Sequence, residues 1–245
     1  MKERPILFSA PMVCALLDGS KTQTRRPVKP APEMVAEHQI EPWTGDPAAL
    51  LQLLQASKRP CPYGKPRDRL WVRETFLAYG RWETRFSAKK KRDEWHFADM
   101  TLECDRRYQY AADNPDVPLA KGRAAASTMP GWHTRPAIFM PRVACRILLE
   151  IVSVRVERLN DCSEADARAE GVAPNWIGPL DKGPNGRGGE GWPGDDYLHY
   201  TNGTDGEPAY SAYESFASLW ESINGAGSWD ANPWVWVVKF KRVAS

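Results

Sequence analysis

Residues 19–30, "GSKTQTRRPVKP", put a glycine, a lysine, two threonines and two arginines into one short tract behind a small apolar segment. Lys21 and Thr24 are three apart, and on a regular strand that spacing points them to opposite faces. They converge only if Lys21 still belongs to the turn after Gly19. If they do, the lysine can take a proton while the threonine hydroxyl attacks an acyl carbon. Lys21, Arg25 and Arg26 are alternatively the cations of a pocket that grips an anion.

A carboxylate joins this set from "DRLWVRETF" (68–76), which alternates with Leu70, Val72, Glu74 and Phe76 on one face and Trp71, Arg73 and Thr75 on the other. An ionised Glu74 on an apolar face is strongly unfavourable unless it is paired. The cations of "KTQTRR" are the candidate partners. One reading makes Thr24 the nucleophile, Lys21 the base and Glu74 the group that orients it. The other makes Lys21 and Glu74 a buried salt bridge fastening the first helix, with Thr24 a plain strand former.

A second set is basic and aromatic: Trp82, Arg85, Lys89, Lys90, Lys91, Arg92 and Trp95, then Arg106, Arg107, Tyr108 and Tyr110. Cations track phosphates and aromatic faces stack on unpaired bases, the chemistry of single-stranded nucleic acid. Asp93 and Glu94 directly after the lysines also suit a solvated charge run. Most of the eleven tryptophans, Trp176 and Trp192 among them, read as packing residues.

The elements that must position these groups follow from periodicity. "PILFS" (5–9) reads as a strand, and Met12, Val13, Leu16 and Leu17 as one face of a helix stopped by Gly19. "DPAALLQLLQAS" reads as a helix capped by Asp46 with Pro47 in its first turn. From about 77 to 137 charges mix with aromatics, ending in "KGRAAASTMPGWH", an insertion with its own hairpin. "RVACRILLEIVSVRVERL" (142–159) reads as a long strand or strand pair, and "SEADARAEGV" as a helix from Ser163 to Gly171. Residues from about 174 to 210, with "GPNGRGGEG", read as loop. Tyr213, Phe216, Trp220 and Ile223 then share a helix face, and the strand "WVWVVKFKRV" begins at Trp234. The expected fold is α+β around a small, mostly antiparallel barrel with flanking helices.

With 245 residues the chain can bury a substantial core, and 33 Lys and Arg against 31 Asp and Glu leave no global field to draw in nucleic acid. Cys14, Cys61, Cys104, Cys145 and Cys162 are odd in number and widely spaced, which suits reduced thiols in the cytoplasm. His38, His96, His133 and His199 are too scattered to read as a metal site, and no cofactor motif is present, so neither metal nor cofactor is expected. "PILFSAPMVCALL" is too short to span a bilayer and is interrupted by Pro11, so no membrane association is expected.

The ordered blocks "ILFSAPMVCALLDGSKTQTRR", "RDRLWVRETF", "MPRVACRILLEIVSVRVERL", "EADARAEGV" and "WDANPWVWVVKF" resemble an ASCH-domain protein of the PUA-like superfamily, in the long form found in tailed phages and prophages. The resemblance covers about residues 4–30, 66–77, 138–173 and 211–243. It implies a single domain over 1–245, with the insertion at about 77–137 and the loop at about 174–210. It also implies a PUA-like β-barrel with a cleft lined by the G-x-K-x-x-T-x-R tract, and partners among RNA, single-stranded nucleic acid or modified nucleosides.

Some small members of the family are amidohydrolases that remove the acetyl group from N4-acetylcytidine with a threonine, a lysine and a glutamate. Lys21 and Thr24 match that K-x-x-T, and Glu74 matches by type. The resemblance therefore implies a cytoplasmic protein that binds nucleic acid or a modified nucleoside and hydrolyses an N4-acyl group, with Lys21, Thr24 and Glu74 catalytic. Gly19, Arg25, Arg26, Trp71, Arg73 and Trp234 would bind the substrate. A non-catalytic reader of modified bases and a ribonuclease are the other readings.

Overall fold

β-Branched and aromatic runs make strands the main material of this chain. The computed structural model of the protein describes residues 1–120, 129–172, 197, 200 and 209–243. β1 (Glu3–Leu7) leads into α1 (Ala10–Asp18) and β2 (Gln23–Pro27). β3 (Glu33–Ala36) and β4 (Gln39–Pro42) form a small antiparallel hairpin before α2 (Pro47–Ala56). β5 (Arg69–Arg73), β6 (Phe76–Ser87), β7 (Arg92–Asp99), β8 (Gln109–Tyr110) and β9 (Gly131–Arg135) precede the long β10 (Leu148–Arg158). α3 (Glu164–Ala169), α4 (Ala212–Asn224) and β11 (Trp234–Val243) complete the described elements.

The largest sheet has the order β1-β5-β10-β11-β2, and β11 runs antiparallel to both β10 and β2. β6 is the centre of another sheet and pairs antiparallel with β7, β8 and β9. The architecture is α+β with mostly antiparallel sheets, as the sequence pattern predicts. Among the described residues no helix is long and apolar enough to cross a membrane.

The chain divides into two compact units. One comprises Met1–Arg4, Cys14–Leu70 and Leu148–Ala244; the other comprises Pro5–Val13 and Trp71–Ile147. The second contains the whole range read from sequence as an insertion. Residues 121–128, with the "KGRAAAST" stretch, lie outside the described residues. So does most of the predicted loop, with "GPNGRGGEG", Trp176, Trp192 and His199.

In the first unit β11 is buried at every position from Trp234 to Val238, which a strand covered on both faces requires. α4 turns Phe216, Leu219 and Trp220 inward, and Trp229 meets Phe216 edge-on at 5.8 Å. Ile223, read as part of the same buried face, lies in the last turn and is exposed. The predicted caps form: Asp46 accepts from the Ala49 N–H at 2.9 Å, and Ser163 from the Asp166 N–H at 3.1 Å.

In the second unit Phe76, Ala78, Met140 and Ala144 form a buried cluster against which Phe97, Tyr108 and Tyr110 pack. The run 142–159, read as a long strand or strand pair, is strand only in its later part. Arg142–Ala144 is a 3-10 turn and β10 starts only at Leu148.

Just past α3, Gly171 has φ +77°, and a Cβ there would fall 2.7 Å from the Lys21 Cβ and 2.8 Å from the Ala15 Cβ. Both the backbone conformation and the space call for glycine. Gly171→Ala is predicted to destabilise the protein by about 2 kcal/mol, read as a lowered urea midpoint with unchanged slope.

Candidate functional site

Chain reversal after α1 decides where Lys21 lies. Gly19 has φ +87°, the Ser20 N–H donates to Asp18 Oδ1 at 2.8 Å, and the Lys21 N–H returns to the Ala15 carbonyl at 2.9 Å. Thr22 donates its N–H to the Ala169 carbonyl at 2.9 Å, and β2 starts at Gln23. Lys21 therefore belongs to the turn, which is the condition the sequence spacing set.

The lysine is enclosed. Its Nζ donates to the Glu170 carbonyl at 2.7 Å and to Glu170 Oε2 at 3.1 Å, and its side chain is 2% exposed. Arg25 Nη1 donates to the other oxygen of the same carboxylate, Oε1, at 3.0 Å. The rest of that guanidinium engages Glu157 Oε1, from Nε at 3.1 Å and Nη2 at 2.5 Å, with Asp166 Oδ2 at 3.4 Å from Nη2. Gln23 Nε2 donates to the Asp166 carbonyl at 2.9 Å and to its Oδ1 at 3.0 Å. Arg155 closes the group, reaching Glu157 Oε2 at 2.7 Å and Asp166 Oδ1 at 3.2 Å. Lys21, Arg25 and Arg155 thus face Glu157, Asp166 and Glu170, three cations against three carboxylates.

This network shapes protonation. Burial lowers the Lys21 ammonium below an ordinary lysine, and Glu170 only partly offsets it. Burial opposes the charge on Arg25 too, but Glu170, then Cys162 and Glu157, outweigh it and raise its pKa. Cys162, buried beside the network, is pushed up to about 12 by desolvation and stays a thiol.

Thr24 is 3% exposed, and its hydroxyl makes no hydrogen bond among the described residues. Strand alternation sets Thr24 and Arg26 on the face of β2 opposite Gln23 and Arg25. Lys21, ahead of the strand, sends its ammonium to the Arg25 side, where the two cations share Glu170. Trp234 is 6% exposed; its indole N–H donates to the Trp43 carbonyl at 2.9 Å, and the Arg158 guanidinium lies 4.6 Å from its ring centre.

Trp71, Arg73 and Glu74 belong to the second unit. Leu70, Val72, Glu74 and Phe76 are all buried while Trp71, Arg73 and Thr75 are half-buried, so the predicted alternation holds. Glu74 has the partner its position demands. Arg146 donates from Nε to Oε1 and from Nη2 to Oε2, each at 2.9 Å, a bidentate pair. Arg146 also donates to Asp113 Oδ2 at 2.6 Å and lies 3.9 Å over the Tyr110 ring. Burial works against its charge, and the Glu74 and Asp113 contacts more than restore it, raising its pKa. Arg73 stacks 5.3 Å from Trp71 and donates to the Ile138 carbonyl.

The sequence reading placed Lys21, Thr24 and Arg25 in one tract but missed Glu170, Glu157, Asp166, Arg155 and Arg146. Glu170 carried a signal, an acid directly before the glycine that ends "SEADARAEG". Arg146 was hidden in a run read as a long strand or strand pair. In the basic insert, Lys90 and Arg92 pair with Glu94 and Arg85 with Glu83, as a solvated charge run would.

Comparison of the chain with protein-family models, curated proteins and solved structures returned no match.

Removing Glu170 leaves two buried cations without a shared anion, so Glu170→Ala is predicted to cost about 3–5 kcal/mol in chemical denaturation. Asp166 gives a pH signature. Desolvation opposes its charge, but the Gln23 hydrogen bond and Arg25 win, holding its pKa below the usual 3.8. A carboxyl so lowered contributes stability above the unfolded value, and that contribution is lost as pH falls through the folded value. Asp166→Asn should therefore flatten the acid limb of the stability profile below about pH 4.

Proposed function

We propose that the chain is an ASCH-type amidohydrolase that removes an acyl group from N4-acylcytosine in a nucleoside, with N4-acetylcytidine as the test substrate. The observation that carries this reading is Lys21, a buried lysine with a lowered ammonium pKa, fixed by Glu170 and three residues before Thr24, a nearly buried threonine whose hydroxyl makes no hydrogen bond among the described residues. A lysine so desolvated reaches its neutral, basic form at lower pH than an exposed one. We infer the PUA-like barrel and its cleft from the same resemblance, and the α+β, mostly antiparallel architecture is compatible with it.

In the proposed reaction the Thr24 hydroxyl attacks the acyl carbon and its proton passes to neutral Lys21. The C–N4 bond breaks, the leaving cytosine amine takes that proton, and an acyl ester remains on Thr24. Water then attacks the ester, again through Lys21, releasing the carboxylic acid and restoring the hydroxyl. Backbone N–H groups are the donors for the oxyanion, since the Arg25 guanidinium is engaged by three carboxylates. Glu170 orients Lys21, and Glu74 remains a candidate through the resemblance alone.

The same contacts weigh against the reader and ribonuclease readings. Both use Lys21 and an arginine of the tract against phosphate, and Lys21 is already held by Glu170 and Arg25 by three carboxylates. Of the two tryptophans the reader could stack a base on, Trp234 is buried with Arg158 against its ring, while Trp71 is half-buried.

Incubation with N4-acetylcytidine should release cytidine and acetate. Thr24→Ser should retain turnover, and Thr24→Ala should lower it by about a thousandfold or more. Wild-type turnover by Thr24→Ala would remove the nucleophile. The kcat/KM profile should rise with pH, with a midpoint below the ordinary lysine value of 10.5. Glu170 stabilises the ammonium, so Glu170→Gln should move that midpoint lower still. An upward move would contradict the pairing.

A further inference from the structure

The second unit carries a surface that this chemistry does not use. Along β6 the even-numbered residues share one face, and at its inner end Phe76 and Ala78 lie in the buried cluster. The same face continues past Gly80 as Trp82, Thr84 and Phe86. On β7, Phe97 stands opposite Trp82 and Trp95 opposite Thr84, so their side chains lie on that face as well. The core side of this hairpin thus runs out into solvent as a row of rings, with Trp95 46% and Phe86 69% exposed.

The row is ordered by ring contacts. Trp82 and Phe97 meet edge-on at 5.4 Å, and the Arg135 guanidinium lies 4.8 Å from Trp82, 4.5 Å from Phe97 and 4.9 Å from Phe139. The opposite face is polar and self-satisfied, with Arg85 on Glu83 at 2.8 Å. At the turn Lys90 pairs with Glu94, whereas Lys89 and Lys91 make no ion pair among the described residues. The carboxylates on the aromatic face stand at its two ends. Asp93 is opposite Phe86, and Asp99 is taken by Thr101 and Tyr108.

We propose that the aromatic face of the β6–β7 hairpin binds single-stranded nucleic acid, with Trp95 and Phe86 as stacking platforms and Lys89 and Lys91 holding phosphates. Trp95 and Phe97 on alternate residues of β7, beside Trp82 and Phe86 on β6 and with a guanidinium stacked among them, offer unpaired bases successive flat surfaces. Unpaired lysines at the tip give that face the charge a polyanion requires. A duplex hides its base faces and cannot use such rings. The site is independent of the proposed hydrolase centre.

The test is fluorescence anisotropy of a labelled oligouridylate of about twelve nucleotides, with a matched duplex as control. The single strand should bind better than the duplex. Trp95→Ala and Phe86→Ala should each weaken binding by about tenfold. These side chains are largely exposed, so the circular dichroism of both variants should match wild type. Lys89→Ala/Lys91→Ala should bind more weakly and reduce the salt slope by roughly one to two. Absent binding, equal duplex binding or an unaffected Trp95→Ala would overturn the proposal. A wild-type dimer that Trp95→Ala dissociates, with no oligonucleotide affinity, would overturn it in favour of a second copy of this chain.

Discussion

Two cations cannot be carried side by side into a protein interior unless anions meet them within hydrogen-bond reach. Lys21 and Arg25 satisfy that demand by sharing Glu170, one through each carboxylate oxygen. Much of the first unit follows from that shared contact. α3 has to start at Ser163 and stop at Gly171 so that Asp166 and Glu170 both reach β2. β10 must keep its register so that Arg155 and Glu157 complete the charge balance. β2 is committed by Gln23 and Arg25 on one face, and Thr24 is left on the other.

The second unit solves the same problem once, with a different result. Glu74 is as buried as the lysine, yet its partner Arg146 keeps solvent contact and stacks on Tyr110. A bidentate guanidinium there is anchored by Asp113 and remains charged. Lys21 instead sits where burial works against its charge, and that contrast marks the lysine as the group suited to proton transfer. One buried pair keeps its cation charged, while the other holds a lysine whose ammonium is lowered by burial.

Strong local signals made much of this legible in the sequence. The alternation around Glu74, the caps at Asp46 and Ser163, and the glycine stops at Gly19 and Gly171 all rest on nearest-neighbour stereochemistry, and each is realised. The demand for a Glu74 partner was also readable, because an isolated carboxylate on an apolar face is unfavourable whatever the fold. Which residue answers that demand was not readable, since Arg146 lies 72 positions away and inside a run that reads as strand. Glu170 is 149 positions from Lys21, and pairings at that separation are set by sheet order rather than by local pattern. The aromatic row was visible as composition, but its single face became apparent only once the β6–β7 register was known.

The most direct measurement is mass spectrometry of the protein quenched during turnover of N4-acetylcytidine, with fragmentation of the peptide that spans Thr22 to Arg25. A covalent mechanism through a desolvated lysine predicts one acetyl group on Thr24 of the quenched wild-type protein, absent from Thr24→Ala. Cytidine release with no acetyl group on Thr24 under those conditions, or an acetyl group on another residue, would contradict it.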